Sequence, residues 1–393
     1  MDEGNQSRLF EFILQGLSEQ STHQWIWFGL FFWLYLIALT GNLLISMAIL
    51  LDAHLHQPMY FFLAHLSLAD ACFVSTTVPN LLVSIGTHDR SISYPRCMTQ
   101  LYFFLTFGDL DIFLLAVMAY DRYMAICYPL HYATALGPTH CAFLAAICWL
   151  LTSLVALTHT LLMARLSFCT PQTITGFFCD LGPLMQVSCS NTQANVLVLL
   201  SLGGAVILIP FLLILASYTH IAVAIFRTPS AQGKRKACST CGSHLCVVFL
   251  FFGTVIRAYL CPTDPGSAAA GDTVAIVMYT VITPTANPFI YSLRNRDMQA
   301  ALARLIRGNT LRRKTKTATS SAVEAPDRRA QDFSFLRPWE LRSEPPREHW
   351  SSAVTGDDEK SGPPSHKDFC SMMADLGAGL VARGTLLLGL IRL

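Results

Sequence analysis

Met118 to Tyr132 reads MAYDRYMAICYPLHY. The stretch lies where a long apolar run ends and a polar loop begins, and it sets an acid and a base, Asp121 and Arg122, side by side at that boundary. Charge at the rim of a membrane helix is costly unless it is paired or wet, so the triplet Asp121, Arg122, Tyr123 points to a function. The plainer alternative is a helix end whose arginine snorkels to the headgroups.

Working outward, 393 residues that are 53% hydrophobic and 13% charged fall well below the about 25% charge of an ordinary soluble chain. Part of the solvent must be lipid. A net charge of +2, with basic residues in short loops and one tail, gives no stripe for nucleic acid. The 13 cysteines are odd in number, so at least one thiol stays free or pairs between molecules. Met1 to Gln24 is polar and has no cleavable-leader pattern, so the first helix is expected to serve as the signal. Asn5-Gln6-Ser7 is a glycosylation sequon, meaningful only on the outside.

Seven apolar runs suffice to cross a bilayer, which takes about 20 helical residues. They are Trp25–Leu51, Pro58–Ile85, Met98–Tyr120, Cys141–Ala164, Val196–Phe226, Ser243–Leu260 and Thr273–Leu293. Loop Lys and Arg residues number four on one side and thirteen on the other. The richer side, with Arg122, is therefore cytoplasmic and the N-terminus is outside. The expected fold is an all-α membrane protein. An extracellular segment, 1–24, precedes a seven-helix transmembrane bundle, 25–293, which leads into a short amphipathic juxtamembrane helix, 294–308, on the anionic membrane surface. A mostly disordered cytoplasmic tail, 309–393, follows. Met372 to Leu393 turns apolar again, but Arg383 and its glycines argue against an eighth crossing.

Helical phase sorts the third run. Asp111 precedes Arg122 by 11 residues and Phe104 precedes it by 18, close to three and five turns. Phe104, Gly108, Asp111, Leu115, Met118 and Arg122 therefore share a face. That face must point inward, because a lipid-exposed carboxylate costs roughly several kcal/mol. Arg122 then lies about 16 Å below Asp111. Asn42, Asp70 and Asn287 add interior polarity from other runs. Two buried carboxylates, Asp70 and Asp111, need donors, a proton or a cation such as sodium; a hydrogen-bonded packing network is the alternative role. Cys238, Cys241 and His244 are zinc-ligand types but lack a fourth ligand, so no metal site is expected.

Gly41-Asn42, PMYFFLAHLSLAD (Pro58 to Asp70), MAYDRYMAICYPLHY, Ser217-Tyr218, KACSTCGSHL (Lys236 to Leu245) and PTANPFIYSLRN (Pro284 to Asn295) follow in that order. The series resembles an olfactory receptor, a branch of the rhodopsin-like G-protein-coupled receptors, from about Phe10 to Ile306. The resemblance implies that Arg122 is the G-protein switch, held at rest by Asp121, and that Tyr218 and Tyr291 swing toward it on activation. It makes Asn42, Asp70, Asp111 and Asn287 the polar relay. It also implies Cys97–Cys179 and Cys169–Cys189 disulfides, among pairings that spacing alone leaves open. Ala286, Cys238, Phe252 and His65 depart from the family's usual Leu, Phe, Tyr and Asn.

The implied activity is capture of a small volatile odorant in the outer half of the bundle. Helix 6 then moves outward, and a stimulatory heterotrimeric G protein raises cyclic AMP, at the plasma membrane of olfactory cilia. Phe104, Leu105, Gly108, Phe252, Val255, Tyr259 and Thr280 form the expected pocket, apolar with one phenol and one hydroxyl; ordinary interhelical packing is the alternative for each. Phase turns Arg257 away from that pocket, toward the outer headgroups. A transporter is disfavoured by the odd helix count and the absence of a repeat between halves. No nucleophile–base constellation or phosphate loop suggests an enzyme. A poorly signalling receptor relic is the remaining alternative.

Overall fold

The computed structural model describes residues 11–16, 24–168, 173–227, 230–260 and 269–307. The chain divides into two units, Met1–Arg312 and Arg313–Leu393. The second unit lies outside the described residues, as do the expectations for the tail and for the Asn5 sequon.

Among the described residues, seven helices are long and apolar enough to cross a membrane. α1 is Gln24–Leu51, α2 Pro58–Thr87 and α3 Tyr94–Cys127. After the short α4, Pro129–Ala135, comes α5, Pro138–Ala164. A six-residue α6, Leu181–Gln186, precedes the fifth span. That span joins α7, Gln193–Val198, to α8, Gly204–Arg227, through a π-helical turn at Leu199–Gly203. The sixth is α9, Ala231–Val255, ending in a π-turn at Ile256–Leu260. The seventh runs from α10, Ala269–Val277, through a π-turn at Met278–Ile282 into α11, Thr283–Arg294. Proline stands in the first turn of α2, α3, α4 and α5. There its missing N–H is no loss and its fixed φ suits the helix.

Two boundaries differ from the hydropathy reading. α3 continues past Tyr120 to Cys127, so Asp121 and Arg122 sit inside its final turns. α9 begins at Ala231 rather than Ser243, because lysine and arginine are good helix formers that lower hydropathy without ending a helix. The last expected helix narrows to α12, Arg296–Ile306, since Arg294 still belongs to α11.

Between helices in lipid the hydrophobic effect does little, so close backbone approach and interhelical hydrogen bonds hold the bundle. Gly41 supplies the approach of α1 to α11: a Cβ there would sit 3.0 Å from Pro288 Cβ and Cγ. Beside it, Asn42 donates to the Pro284 carbonyl at 2.9 Å, a contact of about 0.6 to 2 kcal/mol.

The end of the bundle opposite Arg122 carries a small sheet that hydropathy does not reveal. β1, Glu11–Leu14, lies between β2, Ser91–Ser93, and β3, Thr173–Ile174. It pairs antiparallel with the first and parallel with the second. Alternation along β1 buries Phe12 and Leu14, and Phe12 meets Phe168 edge-on at 5.1 Å. Cys97 and Cys179 are bonded beneath it, and the Cys179 N–H donates to Gln100 Oε1 at 3.0 Å. Cys189 is also disulfide-bonded; its expected partner Cys169 lies outside the described residues.

At the other end, Asn295 caps α12 by accepting from the Asp297 and Met298 N–H groups. Met298 and Ala301 are buried, and Arg304 reaches Asp52 Oδ2 from Nε at 2.7 Å and Nη2 at 2.6 Å. Burial pushes the Asp52 carboxyl up, but bonds from His54 and the Arg304 guanidinium outweigh it and hold it below the usual carboxylate value. Its folded pKa is depressed, so its contribution is present above about pH 4 and is lost as pH falls through that depressed value. Asp52→Asn is expected to loosen α12. Hydrogen exchange of residues 296–306 at neutral pH should speed up about 3- to 10-fold; an unchanged rate would show that the ion pair does not anchor α12.

Candidate functional site

Arg122 stands near the C-terminal end of α3 with its side chain 11% exposed, its Nε 3.7 Å from Asp121 Oδ2. Tyr132, on α4, donates to Asp121 Oδ1 at 2.7 Å. Burial and the adjacent Asp121 carboxylate push the Tyr132 phenol up, so it keeps its proton and acts as a donor. Asp121 is thus gripped from two sides, by the guanidinium and by a neighbouring short helix. Tyr123 is half-buried, edge-on to Tyr128 at 5.5 Å and beside His220 at 5.6 Å.

His244 is the residue that the sequence reading considered only as a metal-ligand type. It is fully buried and bridges three helices: its Nε2 lies 3.0 Å from the Leu115 carbonyl and its Nδ1 2.8 Å from Tyr218 OH. A carbonyl only accepts, so Nε2 carries the proton, Nδ1 accepts, and Tyr218 donates. Both ring nitrogens are engaged, and α3, α8 and α9 are tied together one layer above Arg122.

Around Arg122 lies a cavity of about 240 Å³, walled by Tyr60, Leu63, Ser243, Tyr291, Asn295 and Arg296 among others. Tyr291 is buried and its hydroxyl has no partner. Asn295 donates to Tyr60 OH at 2.7 Å.

The four expected relay residues are all buried. Asn287 donates to Asp70 Oδ2 at 2.7 Å, which joins α11 to α2. Both Asp111 oxygens lack a hydrogen-bond partner. A carboxyl so placed calls for a proton or a cation. No group of three or more His, Cys, Asp or Glu able to hold a metal occurs among the described residues.

Of the expected ligand residues, Phe104, Gly108, Phe252, Val255 and Thr280 are buried and Leu105 is half-buried; the Tyr259 side chain lies outside the described residues. Thr280 spends its hydroxyl on the Ile276 carbonyl at 2.8 Å. Four aromatic residues absent from the expected set complete the wall. Phe104 packs on Phe178 at 4.6 Å and on Phe73 at 5.2 Å, while Tyr279 meets Phe73 at 5.2 Å and Phe251 at 5.4 Å. Gly108 makes room for Tyr279, whose hydroxyl would be 2.6 Å from a Cβ there.

Arg257 lies on the π-turn at Ile256–Leu260 and is half-buried.

A family model described as "Olfactory receptor" matches residues 31–308. Human olfactory receptor 1P1 is 63% identical over 309 residues, covering 78% of this chain and 93% of its own length. Human olfactory receptor 1N1 is 55% identical over 301 residues, 77% of this chain and 96% of its own. Mouse olfactory receptor 1M1 is 52% identical over 306 residues, 78% of this chain and 97% of its own.

Proposed function

Because the chain belongs to the olfactory receptor family and is therefore a multi-pass membrane receptor for odorants and not an enzyme, we propose that it works as a switch built around Arg122. A small volatile odorant sits against the aromatic wall of Phe104, Tyr279, Phe251 and Phe252. It favours the state in which α9 moves outward and the Arg122 cavity widens to admit a stimulatory heterotrimeric G protein, which raises cyclic AMP.

The observation that carries this reading is the His244 bridge. It fastens the sixth helix to α3 through Leu115 and to the fifth through Tyr218, so outward movement of α9 must break it. Tyr218 is then free to turn toward Arg122. Asp70 and Asp111 suit a proton or a sodium ion that stabilises the resting bundle, and Asn287 holds Asp70 in place for it. The N-terminus is outside, an assignment supported by loop charge and by disulfides clustered at the sheet-bearing end, since such bonds persist in oxidising surroundings. The expected location is the plasma membrane of olfactory cilia.

The test is cyclic AMP in cells expressing the chain, read across a broad odorant panel, beside His244→Leu. At least one odorant should raise cyclic AMP over mock-transfected cells. The substitution should raise the unstimulated level about 3- to 10-fold, the worth of roughly one buried hydrogen bond removed from the resting state. Surface expression with no odorant response and an unchanged basal level would overturn the switch.

A further inference from the structure

We infer that the cavity beside Arg122 is itself a binding site, for a small organic oxyanion such as a phosphate monoester or a carboxylate, and that its occupant holds the receptor at rest. The inference rests on the reading of Arg122 as the G-protein switch and adds a ligand class to that end of the molecule.

Three features of the cavity point to an oxyanion. The first is an unmet need for acceptors. Tyr291 and Arg122 both line it, and the buried Tyr291 hydroxyl and Arg122 Nε have no hydrogen-bond partner. A guanidinium N–H only donates and a phenol can donate, so one acceptor oxygen between them would serve both. The second is charge. The lining holds two guanidinium groups, Arg122 within and Arg296 at the exposed rim, against one carboxylate, Asp297. Asp121 lies behind Arg122, with its Oδ2 3.7 Å from Nε and without a hydrogen-bond partner, while its Oδ1 accepts from Tyr132. Planar guanidinium forks match phosphate and carboxylate oxygens. The third is shape: about 240 Å³ walled on one side by Tyr60, Leu63 and Met59 accommodates an apolar group attached to the anion.

An oxyanion bonded to Arg122 and Tyr291 fixes both in their resting positions. Tyr291 and Arg122 must separate from it before a G protein can use the same space. Bound anion and bound G protein therefore exclude one another, which is the condition for one ligand to shift the population away from the other.

The experiment uses the full chain, purified in phosphatidylcholine nanodiscs, with phenyl phosphate as probe and thermal unfolding as readout. A ligand that binds only the folded state raises Tm with concentration. Phenyl phosphate at about ten times its Kd is expected to raise Tm by roughly 2 °C. Inorganic phosphate, which lacks the apolar group, should raise it less. Arg296→Gln and Tyr291→Phe, each compared with its own unliganded Tm, should lose most of the shift, and Arg307→Gln should keep it. A second preparation containing phosphatidylserine separates the sources. If those nanodiscs raise Tm and remove the phenyl phosphate increment, the occupant is a lipid headgroup; if the increments add, it is a soluble anion. No shift in the wild type, or an equal shift in Arg296→Gln, would overturn the site. Because Tm reads binding without any G protein, a failure of coupling through Arg122 shows itself only in the signalling assay.

Discussion

Arg122→Ala is expected to abolish the odorant response while the receptor still reaches the surface. Among the described residues the side chain forms no cross-helix hydrogen bond: its ion pair is with its own neighbour Asp121, 3.7 Å away, and Asp121 keeps its bond from Tyr132. On the proposed mechanism, what is lost is the charged fork that a cytosolic partner meets when α9 moves. Hydrogen bonds to charged groups contribute about 1.5 to 3 kcal/mol each, so losing one lowers coupling by roughly 10- to 150-fold. Odorant-evoked cyclic AMP should fall to mock levels. Arg122→Lys should recover only part of it, because an ammonium keeps the charge without the planar geometry. A response of wild-type size in the alanine variant, at matched surface density, would remove Arg122 from the mechanism.

Cys97→Ser is expected to act earlier, on whether the protein appears at the surface at all. Cys97 and Cys179 are both fully buried, and their bond spans 82 residues. Opening a loop of that size releases about 4 to 5 kcal/mol of denatured-state entropy in the chain-entropy account, and measured losses commonly fall between about 2 and 5. Against a total stability of about 5 to 15 kcal/mol that is a large share. The loss also falls where the outer cluster of Phe12, Leu101, Ile174 and Leu184 meets the small sheet. Surface staining of an N-terminally tagged receptor in intact cells should drop about tenfold or more, with the protein retained inside. Cys179→Ser should match it, and the double variant should be no worse than either. Normal surface density in both single variants would show that the bond is dispensable.

The part of this fold that was legible in the sequence is the part governed by local period. Seven apolar runs have the length of a bilayer crossing whatever their neighbours are, and a 3.6-residue period sets Phe104, Gly108, Asp111 and Leu115 on one face. All four are buried in the structure. Where the period itself changes, that legibility ends. The π-turn after Val255 changes the period, so a phase counted along α9 does not carry through to Leu260. Phe73, Phe178, Phe251 and Tyr279 joined the aromatic wall unannounced, since each is an ordinary apolar residue in its own run and only their meeting makes a wall. Strand β1 was equally invisible, because four residues carry too little pattern to stand against a loop.

By itself, the amino-acid sequence determined which runs are long and apolar enough to cross a membrane, which face of α3 looks inward to the bundle, and that an acid and a base lie together near its C-terminal end. Each of these follows from spacing and hydropathy along a single helix. Only the tertiary structure decided what those groups touch: that Tyr132 grips Asp121, that His244 bridges Tyr218 and Leu115, and that Asp111, Tyr291 and the Arg122 Nε are left without hydrogen-bond partners. Such pairings join residues up to 129 positions apart. Their energies depend on interhelical distances of a few tenths of an ångström, a quantity that no single helix encodes.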